Sequence, residues 1–221
     1  MNKVVSMKTF LFLLCLFNVA FAADLYYLKP DSIDLKLVPA PPVAESAADK
    51  EDLSVVLELQ KKRTEAECKR ATIESEGFAT SFFGAAYGPL TDEEAKRLVE
   101  FQERLFNEVN FYSRKLKESY ARQRPSERDS KIVPCIPVHR SNSYPSGHAA
   151  IAYVAAKTFS MVYPDKSNEF MKRAGEIAYG RVLGGVHHPT DTASGKLVGE
   201  EVYKALMKSE KFQNDVKALA K

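Results

Sequence analysis

Tyr144-Pro-Ser-Gly-His148 leads directly into residues 149–161, which read Ala-Ala-Ile-Ala-Tyr-Val-Ala-Ala-Lys-Thr-Phe-Ser-Met. This stretch decides the fold, because a run that is apolar almost throughout is typical of a helix buried on all sides. Ser146 and Gly147 stand at the beginning of that helix, where free backbone N–H groups and the helix dipole attract an anion. We therefore expect a central buried helix whose N-terminus faces a functional site.

Helical signals also dominate the chain on both sides of this stretch. Thr91-Asp-Glu-Glu94 is a capping box that opens a helix expected to run to Gln123, with apolar residues at three- and four-residue spacing. Further helices are predicted at residues 49–76, at residues 167–186, at residues 189–207 and after Ser209. Convincing strand patterns are few. The sequence therefore predicts an all-α protein, a compact single-domain helical bundle.

The first 22 residues have the layout of a secretory signal peptide. Lysines precede an apolar run from Thr9 to Phe17, and Ala20-Phe-Ala22 matches an A-x-A cleavage site. The run is too short to span a bilayer, and the alternative is a buried N-terminal helix. Cleavage after Ala22 would leave an extended, proline-rich segment at residues 23–48 and a helical domain at residues 49–221. We therefore expect a periplasmic or secreted protein.

The composition narrows the class of protein further. The chain has 221 residues, enough for one substantial domain, and 45% of them are hydrophobic. Lys and Arg total 32 against 29 for Asp and Glu, so the formal charge is only +3. This balance argues against a nucleic-acid partner, because a basic stripe supplies most of the affinity in such proteins. Beyond the signal peptide, no second long apolar stretch offers a stable membrane anchor.

Two cysteines remain once the signal peptide is removed. Cys68 and Cys135 allow one disulfide in an exported protein, and the alternative is a pair of buried free thiols. The sequence has no Cys-x-x-Cys motif and no Cys/His pairing at zinc spacing, so a structural zinc site is not expected.

The first of three motifs that carry chemistry supplies two cations. Lys117 and Arg124 are seven residues apart, nearly two helical turns, so we expect both to project from one face of a helix. Pro125 disfavours helix at Arg124, which places that guanidinium at the helix end. The alternative is a solvated basic helix end, favoured by the neighbouring Arg114, Lys115 and Arg122.

The second motif is the Pro-Ser-Gly-His sequence that precedes the apolar helix. His148 lies in the first helical turn, so it faces the same place as the N–H groups of Ser146 and Gly147. Gly147 lets an oxyanion approach the backbone closely. The alternative is a serine N-cap followed by an incidental histidine.

The third motif is Arg181-Val-Leu-Gly-Gly-Val-His187-His188-Pro189-Thr190-Asp191. A histidine with a nearby carboxylate has its tautomer fixed and its imidazolium stabilised, as a nucleophilic or basic histidine requires. A metal site formed by His187, His188 and Asp191 is the alternative. No further ligand cluster completes such a site, and the neighbouring cations would repel a metal ion. Taken together, the three motifs combine cations, neutral donors and acid–base groups that suit a tetrahedral dianion.

The pattern K-x6-RP, PSGH and R-x5-H-x3-D resembles the signature of the acid phosphatase and vanadium haloperoxidase superfamily, which includes the type 2 phosphatidic acid phosphatases. Nineteen residues separate Pro125 from Pro145, and 32 separate His148 from Arg181, as is usual in that family. The chain is also similar to the bacterial class A non-specific acid phosphatases at residues 24–29, 38–42, 83–91 and 143–148.

The resemblance implies a role for each motif residue. His187 would attack phosphorus and form a phosphohistidine, Asp191 would orient His187, and His148 would protonate the leaving alcohol and then activate water. The residues that would hold the phosphoryl oxygens are Lys117, Arg124, Ser146, Gly147 and Arg181. No metal and no other cofactor is required in this scheme, because the cations neutralise the phosphate.

The predicted activity is that of a secreted, metal-independent acid phosphatase acting on a broad range of small phosphate monoesters. Phosphotransferase side activity and a homodimer are further expectations from the family. The alternatives are a vanadate-dependent haloperoxidase and a non-catalytic phosphate-binding protein. Gly180 departs from the family, which usually has serine there, so a contact to Arg181 or phosphate could be lost. His188 lies outside the shared pattern and is expected at the rim of the site or in a structural role.

Overall fold

The computed structural model of the protein describes residues 25–220, and the predicted signal peptide lies outside them. This part of the chain is helical and contains no β-strand, which confirms the all-α prediction. Short 3-10 turns occur at Leu35–Leu37 and Pro164–Lys166. The α-helices are α1 (Ala47–Lys62), α2 (Glu65–Glu74), α3 (Ala79–Phe83), α4 (Asp92–Arg97), α5 (Val99–Tyr120), α6 (Pro125–Arg128), α7 (Gly147–Val162), α8 (Ser167–Leu183), α9 (Pro189–Leu206) and α10 (Glu210–Leu219).

Helix α7 is the central element, as its apolar sequence predicts. It packs most extensively against α8 and α9, and α5 crosses it on a further side. Small residues allow α9 to approach closely: a Cβ at Gly195 would lie 2.4 Å from the carbonyl oxygen of Ser146, and one at Gly199 would lie 2.6 Å from that of Ala150. This close packing places the beginning of α9 beside the beginning of α7.

An aromatic cluster fills the core between α3, α7 and α8. Phe83 packs edge-on against Phe159 and Phe170, with ring centroids 5.5 and 5.6 Å apart, and all three rings are fully buried. Edge-to-face contacts of this kind add to the free energy gained from burying the rings. The short helix α3, which the sequence analysis did not predict, is therefore held by its phenylalanines.

The prediction of one continuous helix over residues 49–76 is wrong, because the structure has two helices there. Helix α1 ends at Lys62, Arg63 is extended, and Thr64 caps α2. The Thr64 hydroxyl accepts a hydrogen bond from the backbone N–H of Glu67, whose carboxylate accepts from the backbone N–H of Thr64. This reciprocal capping box stabilises a new helix start in the middle of the polar stretch.

The predicted helix that starts near Thr91 is also shorter than expected. It is divided at Leu98 into α4 and α5, and α5 ends at Tyr120 because Ala121 adopts a left-handed conformation with φ of 46°. Lys117 therefore lies on the last turn of α5, whereas Arg124 lies beyond the helix and precedes α6. The prediction that the two cations share one helical face is wrong.

The segment before α1 is packed onto the helical domain. Tyr27, Leu28 and Val38 are buried, and the carboxylate of Glu108 on α5 accepts hydrogen bonds from the backbone N–H groups of Tyr26 and Tyr27, both at 2.6 Å. Apart from the turn at Leu35–Leu37, residues 25–46 form no helix.

A disulfide joins Cys68 on α2 to Cys135 in the loop that leads towards α7, with Cα atoms 5.8 Å apart. Of the two possibilities that the sequence left open, the structure therefore has the disulfide and not two free thiols. None of the helices in residues 25–220 is both long enough and apolar enough to cross a bilayer.

Candidate active site

Two backbone contacts bring the sequence motifs together. The backbone N–H of Ser146 donates to the carbonyl oxygen of Asp191 at 2.9 Å, which joins the start of α7 to the start of α9. Gly185 has a φ of +78°, which favours glycine, and lets the chain turn after α8 so that the backbone N–H of His187 reaches the carbonyl of Arg181 at 3.3 Å. Residues from the second and third motifs therefore meet at one place.

His187 is buried and held by Asp191. Nδ1 of His187 lies 3.2 Å from Oδ2 of Asp191. Burial alone would raise the pKa of Asp191, but hydrogen bonds from His187 and His188 hold it well below its usual value. Because the ionised carboxylate only accepts hydrogen bonds, Nδ1 of His187 carries the proton and the lone pair resides on Nε2.

The lone pair on Nε2 of His187 faces a cation. The guanidinium of Arg124 lies 3.4 Å from Nε2 and also donates to the backbone carbonyls of Val186 and Ser141, at 2.7 and 3.0 Å. Burial lowers the pKa of His187 well below its usual value, with Lys117 and Arg124 adding to the shift. The imidazole is therefore neutral and presents an unprotonated nitrogen beside positive charge.

Lys117 and Arg181 complete a group of three cations with Arg124, which we call the cation cluster. Burial, together with the charges of Arg124 and Arg181, lowers the pKa of Lys117 to about 7. Its ammonium donates to the backbone carbonyls of Asn142 and Ser143, at 2.5 and 3.1 Å. The structure thus brings the cations of the first and third motifs together, although not through a shared helix face.

Arg181 is fully buried and only partly paired. One terminal nitrogen donates to Oγ of Ser75 at 2.6 Å, whereas Nε and the other terminal nitrogen have no hydrogen-bond partner among residues 25–220. Burial and Arg124 lower its pKa to about 9. Buried donors without a partner are costly, and an anion bound beside them would satisfy both.

The start of α7 offers backbone donors next to these cations. The Ser146 hydroxyl caps the helix by accepting from the backbone N–H of Ala149 at 3.4 Å. A Cβ at Gly147 would meet no atom within 4 Å, so the space over this residue is open. An anion can therefore approach the helix N-terminus at Gly147 without a steric barrier.

His148 is partly exposed in the first turn of α7. Its Nε2 lies 3.0 Å from the backbone carbonyl of Ser75, so that nitrogen donates and the other ring nitrogen is available for proton exchange. Burial and the charge of Arg181 lower the pKa of His148 well below its usual value. All eight predicted catalytic and phosphate-binding residues therefore surround one location.

Four further residues contribute to the site without having been predicted. Ser75 bonds both Arg181 and His148 from the end of α2. Ser143 donates to Oδ2 of Asp191 at 2.5 Å. His139 lies in the loop before α7, with its ring centroid 5.4 Å from that of His148, and burial together with the cation cluster lowers its pKa. The fourth residue is Arg122.

For Arg122, the alternative of a solvated basic helix end is wrong. The side chain is buried and donates to Oδ1 of Asp191 at 2.7 Å. Its second terminal nitrogen bonds Asp49 and Asp52 on α1, at 3.1 and 2.8 Å. Arg122 thus neutralises three buried carboxylates and fixes Asp191 from the side opposite His187. The sequence does not reveal this role, because Arg122 lies in a run of charged residues and its partners are distant along the chain.

His188 is fully buried, so the structure excludes a place at the rim and leaves the structural role. Its Nδ1 lies 3.1 Å from Oδ2 of Asp191, and its backbone N–H donates to the same oxygen at 2.9 Å. Gly180 faces Glu74, since a Cβ there would lie 2.9 Å from Oε2 of that residue. A hydrogen bond from Arg173 at 2.6 Å fixes Glu74. In this chain, glycine at position 180 therefore serves the close packing of Glu74 against α8.

The donor set in this part of the chain suits an anion. Within residues 25–220, no group of three or more His, Cys, Asp and Glu side chains is arranged to hold a metal ion. The carboxylates nearest His187 are already paired with Arg122 and with histidines. The fold and the site together define an α-helical protein in which three buried or half-buried cations surround a carboxylate-backed histidine.

Comparison with known proteins identifies the family. Residues 105–214 match the family model described as PAP2 superfamily, and the chain belongs to this superfamily. It is 28% identical over 215 residues to a non-specific acid phosphatase of Providencia stuartii, covering 90% of this chain and 85% of the relative. A non-specific acid phosphatase of Salmonella typhi is 33% identical over 84 residues, which are 38% of this chain and 32% of that protein.

Solved structures with the same fold include a transmembrane PAP2-type phosphatidylglycerolphosphate phosphatase from Bacillus subtilis and a bacterial vanadium-dependent iodoperoxidase. The first has a TM-score of 0.53 and 19% identity, covering 79% of this chain and 89% of that one. The second has a TM-score of 0.50 and 15% identity, covering 79% of this chain and 54% of that one. At these identities the similarity shows the fold alone.

Proposed function

We propose that the protein is a secreted, metal-independent acid phosphatase that hydrolyses a broad range of phosphate monoesters through a phosphohistidine at His187. One observation carries the proposal: Nδ1 of His187 is held by Asp191, while its unprotonated Nε2 faces the guanidinium of Arg124. A histidine that only packed in the core would gain nothing from this arrangement, whereas a nucleophile requires it. Similarity to non-specific acid phosphatases over most of the chain supports the same reaction.

The first chemical step transfers the phosphoryl group to the enzyme. The Nε2 lone pair of His187 attacks phosphorus and forms an N–P bond while the P–O bond to the leaving alcohol breaks. The leaving oxygen takes a proton from the ring nitrogen of His148 that is not bonded to the Ser75 carbonyl. The cation cluster and the N–H groups at the start of α7 hold the three phosphoryl oxygens as charge spreads over them.

The second step returns the enzyme to its starting state. Neutral His148 accepts a proton from water, whose oxygen attacks phosphorus while the N–P bond to His187 breaks and phosphate leaves. An alcohol that replaces water at this stage would receive the phosphoryl group, which gives phosphotransferase side activity. Asp191 stabilises the positive charge that His187 carries in the phosphoenzyme.

The low pKa of His148 in the unoccupied site is compatible with a proton donor. Part of the shift comes from the positive charge of Arg181. A bound phosphate dianion opposes that charge, so it raises the pKa of His148 when substrate is present. His187 stays neutral in acid because burial and the cations lower its pKa. Together these shifts favour turnover in mildly acidic solution.

Export and small-molecule substrates are part of the same proposal. The disulfide between Cys68 and Cys135 is typical of proteins in oxidising compartments, which agrees with the signal-peptide pattern of residues 1–22. The three cations of the cluster surround one histidine and do not form an extended basic stripe, which favours a small phosphate monoester over a nucleic acid. A homodimer remains an expectation from the family resemblance.

The test is hydrolysis of p-nitrophenyl phosphate by the purified mature protein in mildly acidic buffer, with and without EDTA and vanadate. We expect activity that survives EDTA, is inhibited by vanadate and falls by roughly 10⁴-fold or more in His187→Ala. Circular dichroism of the variant checks that it is folded. Activity abolished by EDTA would contradict the metal-independent mechanism.

If the protein does not hydrolyse p-nitrophenyl phosphate, the site has one of the alternative functions. Halide oxidation after addition of vanadate would then indicate a haloperoxidase, which has the same fold in the iodoperoxidase structure. Phosphate binding that persists in His187→Ala, without any turnover, would indicate a binding protein.

A further inference from the structure

His188 is a fully buried histidine that the proposed phosphoryl transfer does not use. Its Nδ1 lies 3.1 Å from Oδ2 of Asp191, and its backbone N–H donates to the same oxygen at 2.9 Å. Because the ionised carboxylate only accepts hydrogen bonds, Nδ1 of His188 carries the proton and Nε2 is an unprotonated acceptor. His188 therefore holds the same carboxylate oxygen as the proposed nucleophile, His187.

The bond to Asp191 is what a histidine adds at position 188. Nε2 of His188 has no hydrogen-bond partner among residues 25–220. A buried acceptor without a partner costs free energy, so packing alone would favour an apolar ring here. Phenylalanine has a similar shape and would avoid that cost. The histidine ring is therefore explained by its donor to Asp191 and not by the space that it fills.

Four donors meet at Oδ2 of Asp191. Oγ of Ser143 donates at 2.5 Å, both donors of His188 lie within 3.1 Å, and Nδ1 of His187 at 3.2 Å makes the longest of the four hydrogen bonds. A carboxylate oxygen has two lone pairs, so the four donors must share them. Each donor that shares the oxygen leaves less of its charge for His187.

The bond between Asp191 and His187 affects both chemical steps, in opposite directions. Burial lowers the pKa of His187, and the hydrogen bond to Asp191 opposes that shift. A stronger bond to Asp191 puts more electron density on Nε2 of His187, which speeds its attack on phosphorus. The same bond slows the second step, because the electron pair of the N–P bond must return to Nε2 when water attacks.

From these contacts we propose that His188 is a positioning residue that shares Asp191 with His187 and thereby keeps the phosphoenzyme short-lived. The inference rests on the proposed function and names the group that balances its two steps. In this role His188 acts on the phosphoryl group only through Asp191. Without the ring donor, the phosphoenzyme would form faster and hydrolyse more slowly.

Two substitutions separate the donor from the ring. His188→Phe keeps a ring of similar size and removes the donor, whereas His188→Asn removes the ring and places an amide nitrogen near the position of Nδ1. The backbone N–H that donates to Asp191 is present in both variants. If His188→Phe does not fold, His188→Leu removes the donor with a smaller side chain and is measured in the same way.

The kinetic test uses two esters. Because p-nitrophenolate leaves easily, kcat for p-nitrophenyl phosphate reports hydrolysis of the phosphoenzyme, whereas kcat/KM for methyl phosphate reports its formation. In His188→Phe we expect the first constant to fall about threefold and the second to rise about threefold. His188→Asn should keep the ratio of the unmodified protein. This ratio does not depend on how much of a preparation is folded.

The amount of phosphoenzyme provides a second readout. Methyl phosphate forms it slowly, so only part of the protein is phosphorylated during turnover. After an alkaline quench, mass spectrometry should find a larger phosphorylated fraction of His187 in His188→Phe than in the unmodified protein. Damage to packing would instead lower both steps together. A parallel loss of both constants in His188→Phe, an unchanged ratio, or the same change in His188→Asn would overturn the proposal.

Failure of this inference can be distinguished from failure of the proposed function. If the unmodified protein hydrolyses both esters with phosphate on His187, and the ratio is the same in every variant, the function stands and His188 only fills space. If neither ester is hydrolysed by the unmodified protein, the proposed function itself fails.

Discussion

Asp191 is the residue on which the geometry of the site depends. Its Oδ2 accepts from Ser143 and from both neighbouring histidines, and its Oδ1 accepts from Arg122. Because each carboxylate oxygen is occupied, the side chain has one orientation and His187 has one tautomer. This fixed arrangement explains how a buried imidazole can present its lone pair to the cation cluster.

At the scale of one residue, the pKa of Lys117 leads to a prediction about how kcat/KM depends on pH. Its pKa of about 7 means that the ammonium is charged below this pH and neutral above it. Phosphate binding through Lys117 is therefore present in acid and is lost as the pH rises through about 7, which adds a second fall in kcat/KM to the one that begins when His148 loses its proton. In Lys117→Arg the cation stays charged, and we expect this second fall to be absent.

The measurement is kcat/KM for p-nitrophenyl phosphate against pH in both proteins. Titration of the substrate is common to the two profiles and cancels in the comparison. Identical basic limbs would show that Lys117 does not govern the loss of activity, and a profile that still rises above neutral pH would contradict the assignment of His148 as the acid.

The sequence predicts residues of the site well when they are close to one another along the chain. His187 and Asp191 are four residues apart, and Ser146 to His148 are contiguous, so their spacing alone places them together. Ser75 and His139 could not be predicted, because each reaches the site from the end of a helix or from a loop in no recognisable motif. The sequence did not indicate the role of Arg122, because its carboxylate partners on α1 lie 70 and 73 residues away.

At the scale of elements, Arg122 connects α1 to the start of α9. It pairs with Asp49 and Asp52 of α1 and with Asp191 of α9. Removing the guanidinium takes the arginine partner from the buried carboxylates of Asp52 and Asp191, and it leaves Asp49 with Arg128 alone. We expect Arg122→Gln to lower the free energy of unfolding by about 3 kcal/mol, as measured by urea denaturation.

Arg114 provides the matched control for this prediction. It belongs to the same basic stretch of sequence but is exposed on α5. Arg114→Gln should change the free energy of unfolding by less than about 0.5 kcal/mol. Equal effects of the two substitutions would mean that the Arg122 network does not hold α1 against α9.

Helix positions were easier to predict than helix ends. The starts of α7, α9 and α10 agree with the sequence to within two residues, because apolar periodicity and capping residues mark them. The break at Thr64 had a signal, since Glu67 completes a capping box, but the surrounding polar helical pattern obscured it. The end of α5 had none: Ala121 adopts left-handed backbone, which alanine rarely does.

At the scale of the whole molecule, the disulfide ties α2 to the loop before α7. The bonded cysteines are 67 residues apart, so the crosslink restricts the unfolded chain considerably. We expect the double variant Cys68→Ala, Cys135→Ala to unfold with a free energy lower by about 4 kcal/mol in urea. The active-site residues do not include either cysteine, so hydrolysis of p-nitrophenyl phosphate should persist at low temperature.

Thiol titration of the denatured, unreduced protein is the companion measurement. Residues 68 and 135 should show no free thiol. Two free thiols, or an unfolding free energy that is the same in the double variant, would contradict the structural role of the bond.

The central claim is that His187 is the nucleophile, and trapping the phosphoenzyme tests it most directly. His148→Ala lacks the group that activates water, whereas the good leaving group of p-nitrophenyl phosphate needs little protonation. After mixing this variant with substrate and quenching in alkali, mass spectrometry of the peptides should find close to one phosphate per chain, on His187. Phosphate on another residue, or continued turnover with His187 unmodified, would contradict the account.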